Sequence, residues 1–209
     1  MRTNLFKHLL SLSALALFLL LAAASSKKTL GCGAFDSRAA YGRDKDTRQL
    51  LWLKDGSQLE GERLVVQSGL LVRDGVKLDG TMYKFDEVAA YQRNGKYYKR
   101  FDRFFGERLV DGKSNLNVYM HQYERTTTST AGNGRMSTST RVYCDYYVLK
   151  GENGTPVQIL TQEDLARIVA DCPKAVAQVQ MKNKEMRKLI RDNPRYLNEI
   201  FETYNAGCR

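Results

Sequence analysis

The chain has 209 residues, 33 Lys and Arg against 23 Asp and Glu for a net charge of +10, and 43% hydrophobic residues, with 4 cysteines and 2 histidines. That length holds one domain, or one domain with an appendage. The sparse histidines and the lack of any CxxC spacing exclude a histidine-rich zinc site or a zinc ribbon, and the basic balance suits an anionic partner or solubility alone.

Residues 1–24 place Arg2 and Lys7 ahead of an uncharged, largely apolar run from Leu9 to Ala24, with Ala22 and Ala24 as the small residues of an A-x-A cleavage site. This is the pattern of a signal peptide, and the run is shorter than the roughly 20 residues of a membrane-spanning helix. An uncleaved anchor is the competing reading. Leu30-Gly31-Cys32 raises a third, a lipid on Cys32, against which stand Thr29 and the Lys27-Lys28 pair. Removal of residues 1–24 takes away two basic residues and no acidic one, leaving 31 against 23, or +8. Export to the periplasm or cell surface is expected, with no transmembrane helix in the mature chain. Residues 25–48 form an N-terminal arm.

Residues 49–160 read as an antiparallel β domain. Seven Asx-Gly pairs punctuate it: Asp55-Gly56, Asp74-Gly75, Asp79-Gly80, Asn94-Gly95, Asp111-Gly112, Asn133-Gly134 and Asn153-Gly154. Such pairs accept the positive φ of tight hairpin turns, and the segments between them are rich in Val, Leu, Tyr and Thr. Proline, which removes a ladder donor, is absent before Pro156. The expected architecture is a meander or a small bent, barrel-like sheet. The stretches LWLKDGSQLEGERLVVQSGLLVRDG and MYKFDEVAAYQ resemble the opening of an Sm-like or SH3-like barrel, a likeness that bears on architecture alone.

Within this domain Asn94 to Phe105 crowds Lys96, Lys99, Arg100 and Arg103 among Tyr97, Tyr98, Phe101, Phe104 and Phe105. A two-residue turn at Asn94-Gly95 sets Arg93 opposite Lys96, Tyr91 opposite Tyr98, Ala89 opposite Arg100 and Val88 opposite Phe101. A helix competes, because Tyr97, Phe101, Phe104 and Phe105 share a helical face. The turn pair and the β-forming VAAYQ favour the strand. On a strand Lys96, Tyr97, Tyr98, Lys99, Arg100 and Arg103 offer a candidate anion-binding surface, with the tyrosines available for stacking on sugar rings or bases.

Further on, Thr and Ser flank Gly132-Asn133-Gly134 on both sides, so NVYMHQYERTTTST and MSTSTRVYCDYYVL read as the arms of one long protruding hairpin.

Residues 161–209 change period and read as about three helices. Thr161 with Asp164 gives a capping-box start ahead of Leu165, Ile168 and Val169. Pro173 opens a second helix running to about Arg191, and Asn193-Pro194 a third, in which Leu197, Ile200, Phe201 and Tyr204 form one apolar stripe. The fold class is therefore α+β. The second helix runs out about 27 Å, the third returns about 16 Å, and the tail adds up to about 13 Å. That brings Cys208 level with Cys172 and predicts a Cys172–Cys208 disulfide; Cys32 and Cys144 either pair or stay free.

Gly112-Lys113-Ser114-Asn115-Leu116 followed by a tyrosine-bearing strand, Tyr143 to Leu149, Asp171-Cys172-Pro173, and the ending Tyr204-Asn205 with Cys208 together resemble small exported proteins of unknown function common in Bacteroidetes. The resemblance covers most of the chain after residue 24 and implies export and an envelope setting. It supplies no site.

Catalytic signatures are missing: there is no GxSxG, no phosphate-binding glycine loop and no HExxH. Outside residues 1–24 the one histidine is His121, so the best enzymatic arrangement is Cys172 at a helix start with His121 as base, against which stands the disulfide. Glu60 with Glu62, and Asp86 beside Glu87, are the carboxylate pairs open to a hydrolase. The leading expectation is a non-enzymatic envelope or surface binding module without cofactor or metal, its partner an envelope protein or anionic polymer and no specific nucleic acid. A weak binder of lipopolysaccharide, polysaccharide or DNA is the alternative, and a hydrolase comes last.

Overall fold

A computed structural model describes residues 48–69, 72–113, 115–130, 136–193 and 195–208. The expected signal peptide, most of the expected arm, Cys32, Gly132-Asn133-Gly134 and Pro194 lie outside the described residues.

The fold is α+β, an antiparallel sheet region followed by helices. The strands are β1 Gln49–Leu53, β2 Gln58–Gly61, β3 Leu64–Gly69, β4 Val72–Leu78, β5 Thr81–Lys84, β6 Val88–Arg93, β7 Lys96–Phe101, β8 Phe104–Val110, β9 Leu116–Thr130, β10 Met136–Lys150 and β11 Val157–Ile159. Eight form one sheet in the order β11-β10-β9-β8-β7-β6-β1-β2, and β3-β4-β5 form a second. From β6 to β11 the chain is the expected meander, and neither sheet closes into a barrel among the described residues.

Five of the Asx-Gly pairs stand between paired strands. At Asn94-Gly95 both residues have positive φ, 52° and 74°, as a type I′ turn requires. Asp74-Gly75 departs from expectation, because it lies inside β4. A Cβ on Gly75 would come within 2.4 Å of the Tyr83 carbonyl oxygen and 2.8 Å of the Met82 sulfur. Glycine is there to let β5 approach, which the dipeptide pattern alone does not separate from a turn.

The register at β6 and β7 pairs Arg93 with Lys96 and Tyr91 with Tyr98, as read from the turn. Pairing runs to Ala90 with Lys99 and no further, so the expected Ala89–Arg100 and Val88–Phe101 pairs do not form; on its other edge Val88 faces Leu53 of β1 past a register shift.

The inner face of the large sheet carries both other layers. At one end Leu116, Val118, Met120, Cys144, Tyr146 and Val148 pack with helical Leu165, Val169, Ile190, Leu197 and Phe201. At the other end Leu51, Val88 and Tyr91, with Tyr98 and Phe105, meet Leu64, Val76 and Leu78 of the small sheet.

Four helices follow: α1 Gln162–Ile168, α2 Pro173–Val179, α3 Asn183–Asp192 and α4 Tyr196–Gly207. Thr161 and Asp164 make the expected capping box on α1. The single helix expected from Pro173 to Arg191 is broken in two. The Val179 carbonyl accepts from the Met181 N–H at 2.8 Å and from the Gln162 side-chain amide. On the far side of the break the Glu185 carboxylate accepts from the Lys182 N–H at 3.3 Å. Groups exposed at both new ends thus find partners, which lowers the cost of the break. Ala175, Val179, Met186 and Ile190 are buried on either side of it, so apolar periodicity does not reveal the interruption.

In α4, Leu197, Ile200, Phe201 and Tyr204 are buried as one stripe. Cys172 and Cys208 form the expected disulfide, with Cα atoms 5.3 Å apart, tying the start of α2 to the end of α4. No cysteine among the described residues is free. The Asn205 amide clamps the backbone of Leu116, accepting from its N–H at 3.1 Å and donating to its carbonyl at 2.9 Å.

Candidate binding face

Strand alternation divides the candidate residues of β7 between two faces. Lys96, Tyr98 and Arg100 point inward. Tyr98 stacks on Tyr91 with ring centroids 4.6 Å apart, and its hydroxyl donates to Glu107 at 3.2 Å. Lys96 pairs with the same carboxylate at 2.8 Å. Burial, with the Glu107 charge adding to it, pushes the Tyr98 phenol well above its ordinary value of 10.0. Arg100 donates to the Phe85 carbonyl and, at 3.0 and 2.9 Å, to the carbonyl of Asp102.

Tyr97 and Lys99 point outward. The Lys99 ammonium donates to the Glu152 carbonyl, and burial lowers its pKa against the opposing pull of Glu152. Arg103 lies in the β7–β8 turn with its side chain 93% exposed, 3.7 Å from an equally open Asp102. The six residues therefore do not form one surface. Three serve the inner packing, Lys99 is held by a loop, and Arg103 stands apart.

What the outer face does assemble is a row of rings. Phe101, Tyr119 and Leu149 form a cluster with Tyr97, Phe104 and Tyr147, all supplied by the large sheet itself. The order follows from register: Arg108 faces Tyr119, Tyr119 faces Tyr147, and Tyr123 faces Tyr143. Trp52 meets Tyr97 edge-on at 5.4 Å, and the Arg108 guanidinium sits 4.3 Å over the Tyr97 ring. Phe101 contacts Phe104 at 5.4 Å and Tyr147 at 5.6 Å. Phe104 then stacks on His121 at 4.0 Å, His121 on Tyr123 at 5.2 Å, and Tyr123 on Tyr143 at 5.6 Å. Such pairs add about 0.5–1.5 kcal/mol each beyond area burial, so the row is a stiff platform.

Its electrostatics are mild. Burial pushes the Tyr119 phenol up to about 12 and raises Tyr97 and Tyr147 as well. Burial lowers the pKa of His121, and Asp145, its cross-strand partner, opposes that shift.

The exposed end of the row belongs to the long hairpin. From Gln122 to Thr130 and from Met136 to Val142 every residue is exposed, so the arms leave the body just beyond His121. Arg125 and Arg141 stand directly opposite each other there, one alternation past the tyrosine pair and on the same face.

Of the outer-row residues, the sequence singles out Tyr97 for the anion surface and His121 only as a base for Cys172. The signal lies in the i, i+2 spacing of His121-Tyr123-Arg125 and Arg141-Tyr143-Asp145-Tyr147, two arms symmetric about Asn133. Taking alternation through that symmetry places all seven on one face.

Cys172 and His121 are not brought together, since Cys172 is in a disulfide within the helical core and His121 is in the outer row. Glu60 pairs with Arg48 at 2.8 Å, and Glu87 accepts from the Lys84 N–H at 2.9 Å. Among the described residues no group of three His, Cys, Asp or Glu is placed to hold a metal ion, and no helix is long and apolar enough to cross a membrane. Compared with family models, curated proteins and solved structures, the chain finds no match.

Proposed function

We propose that the protein is an exported, non-enzymatic binding module of the cell envelope that holds a polysaccharide chain along the outer face of its large sheet. The observation that carries this reading is the row of contacting rings from Phe101 through Phe104, His121 and Tyr123 to Tyr143, on the face opposite both the helices and the small sheet, buried at Phe101 and open at Tyr123. The exposed edges and hydroxyls of such a row contact sugar rings and hydrogen-bond to their substituents at little entropic cost. The basic, apolar start of the sequence and the Cys172–Cys208 disulfide fit an exported protein in an oxidising compartment.

Affinity electrophoresis tests the reading, with xylan, laminarin or polygalacturonate cast into native gels. At least one polymer is expected to retard the parent. The double substitution Tyr123→Ser with Tyr143→Ser, at exposed or half-buried positions, is expected to lose that retardation while keeping its far-ultraviolet circular dichroism. Retardation by none of them, or equal retardation of the variant, contradicts the reading.

A further inference from the structure

We infer that Arg125 and Arg141 form the anion-recognising end of the aromatic row, and that the polysaccharide is therefore an acidic one; this rests on the binding-module reading above. The two arginines are direct cross-strand partners, both exposed, and neither has an ion pair among the described residues. Like charges placed directly opposite destabilise a strand pair. An anion seated between the two guanidiniums removes that repulsion, and two planar forks suit a carboxylate.

The position of the pair narrows the ligand. Two residues along each arm lie the stacked rings of Tyr123 and Tyr143, about 7 Å away on the same face. A sugar ring seated against the exposed edge of this tyrosine pair is within reach of the arginines for its exocyclic carboxylate. A single-stranded nucleic acid is a poorer fit, because it carries one phosphate per nucleotide and needs a basic groove along its backbone. Here the other outer-face cations are engaged, Lys99 with the Glu152 carbonyl and Arg108 with Asp111 at 3.0 Å, and Asp145 sits within the row. Charge concentrated at one end suits a polymer read mainly by its rings, with one acid group held at the arginines.

The test uses the full chain and measures Kd at low ionic strength for polygalacturonate, for its fully methyl-esterified form, and for an oligothymidylate. The parent is expected to bind the acid about tenfold more tightly than the ester, the scale of one charge-assisted pair. Arg125→Gln with Arg141→Gln is expected to bring the acid down to the level of the ester, leave the ester unchanged, and not lower the thermal midpoint. Equal binding of acid and ester by the parent, or a preference that survives in the variant, overturns the acidic ligand while the binding module stands. Oligothymidylate bound as tightly as the acid overturns the polysaccharide assignment. If neither polysaccharide binds, both this inference and the reading beneath it fall.

Discussion

Single side chains hold the two layers of this protein in register, and Asn205 shows how. Its amide completes both backbone hydrogen bonds of buried Leu116, so the last helix is bonded to the strand that begins the ribbon. One residue on, Asn117 ties the loops at the end of the sheet to each other, accepting from the Gly112 N–H and donating to the Lys113 and Gly151 carbonyls at 3.0–3.1 Å. Replacing Asn205 by alanine leaves a buried donor and acceptor without partners, at a cost of about 1–3 kcal/mol. Urea denaturation of Asn205→Ala is expected to show that loss as a lower midpoint with an unchanged slope. A midpoint equal to the parent's would show that the clamp contributes nothing.

At the level of elements the long β9–β10 hairpin has two parts with different roles. Its root, Tyr119 to His121 against Asp145 to Tyr147, lies against the sheet, and Tyr123 and Tyr143 carry the rings onto the start of the free ribbon. Beyond Arg125 and Arg141 the described arms are exposed Thr and Ser with Met136, which bury almost nothing. Deleting Thr127 to Ser139 and joining the arms by a short turn is expected to move the thermal midpoint by no more than a few degrees. A collapse in stability would mean that the arms pack on the body. These elements also mark what could be read from the chain. The turn at Asn94-Gly95 and the α1 capping box were legible because their residues are required by local backbone geometry. Gly75 and the break after Val179 were not, because each depends on a neighbour distant in sequence, the Tyr83 carbonyl in one case and the Gln162 side chain in the other. The outer ring row proposed as a binding face was not legible for a related reason. The basic stretch Lys96 to Arg103 is prominent in composition, yet alternation sends Lys96 and Arg100 inward, and the outer row draws its rings from strands that only register brings together.

For the whole molecule, the inner face of the large sheet packs against both supporting layers, while the outer face carries its own smaller cluster around buried Phe101, Tyr119 and Leu149 and the ring row that runs out from it. The helical layer is locked by Cys172–Cys208, 36 residues apart, a closure contributing about 4 kcal/mol in the chain-entropy model. The small sheet covers the other end of the same inner face. Two supporting layers on one side back the part of the row that lies in the sheet, and order there reduces what binding costs in side-chain ordering. The central claim is that ligand contact belongs to this outer face and to neither the inner strand positions nor the helices. Amide and side-chain chemical-shift mapping of the isotopically labelled protein, titrated with polygalacturonate fragments, tests it most directly. The account expects the largest shifts at Phe104, His121, Tyr123, Tyr143 and the two ribbon arginines, with Tyr91, Tyr98 and α2 to α4 unmoved. Shifts centred on Lys96 and Arg100, on the small sheet or on the helices would contradict it.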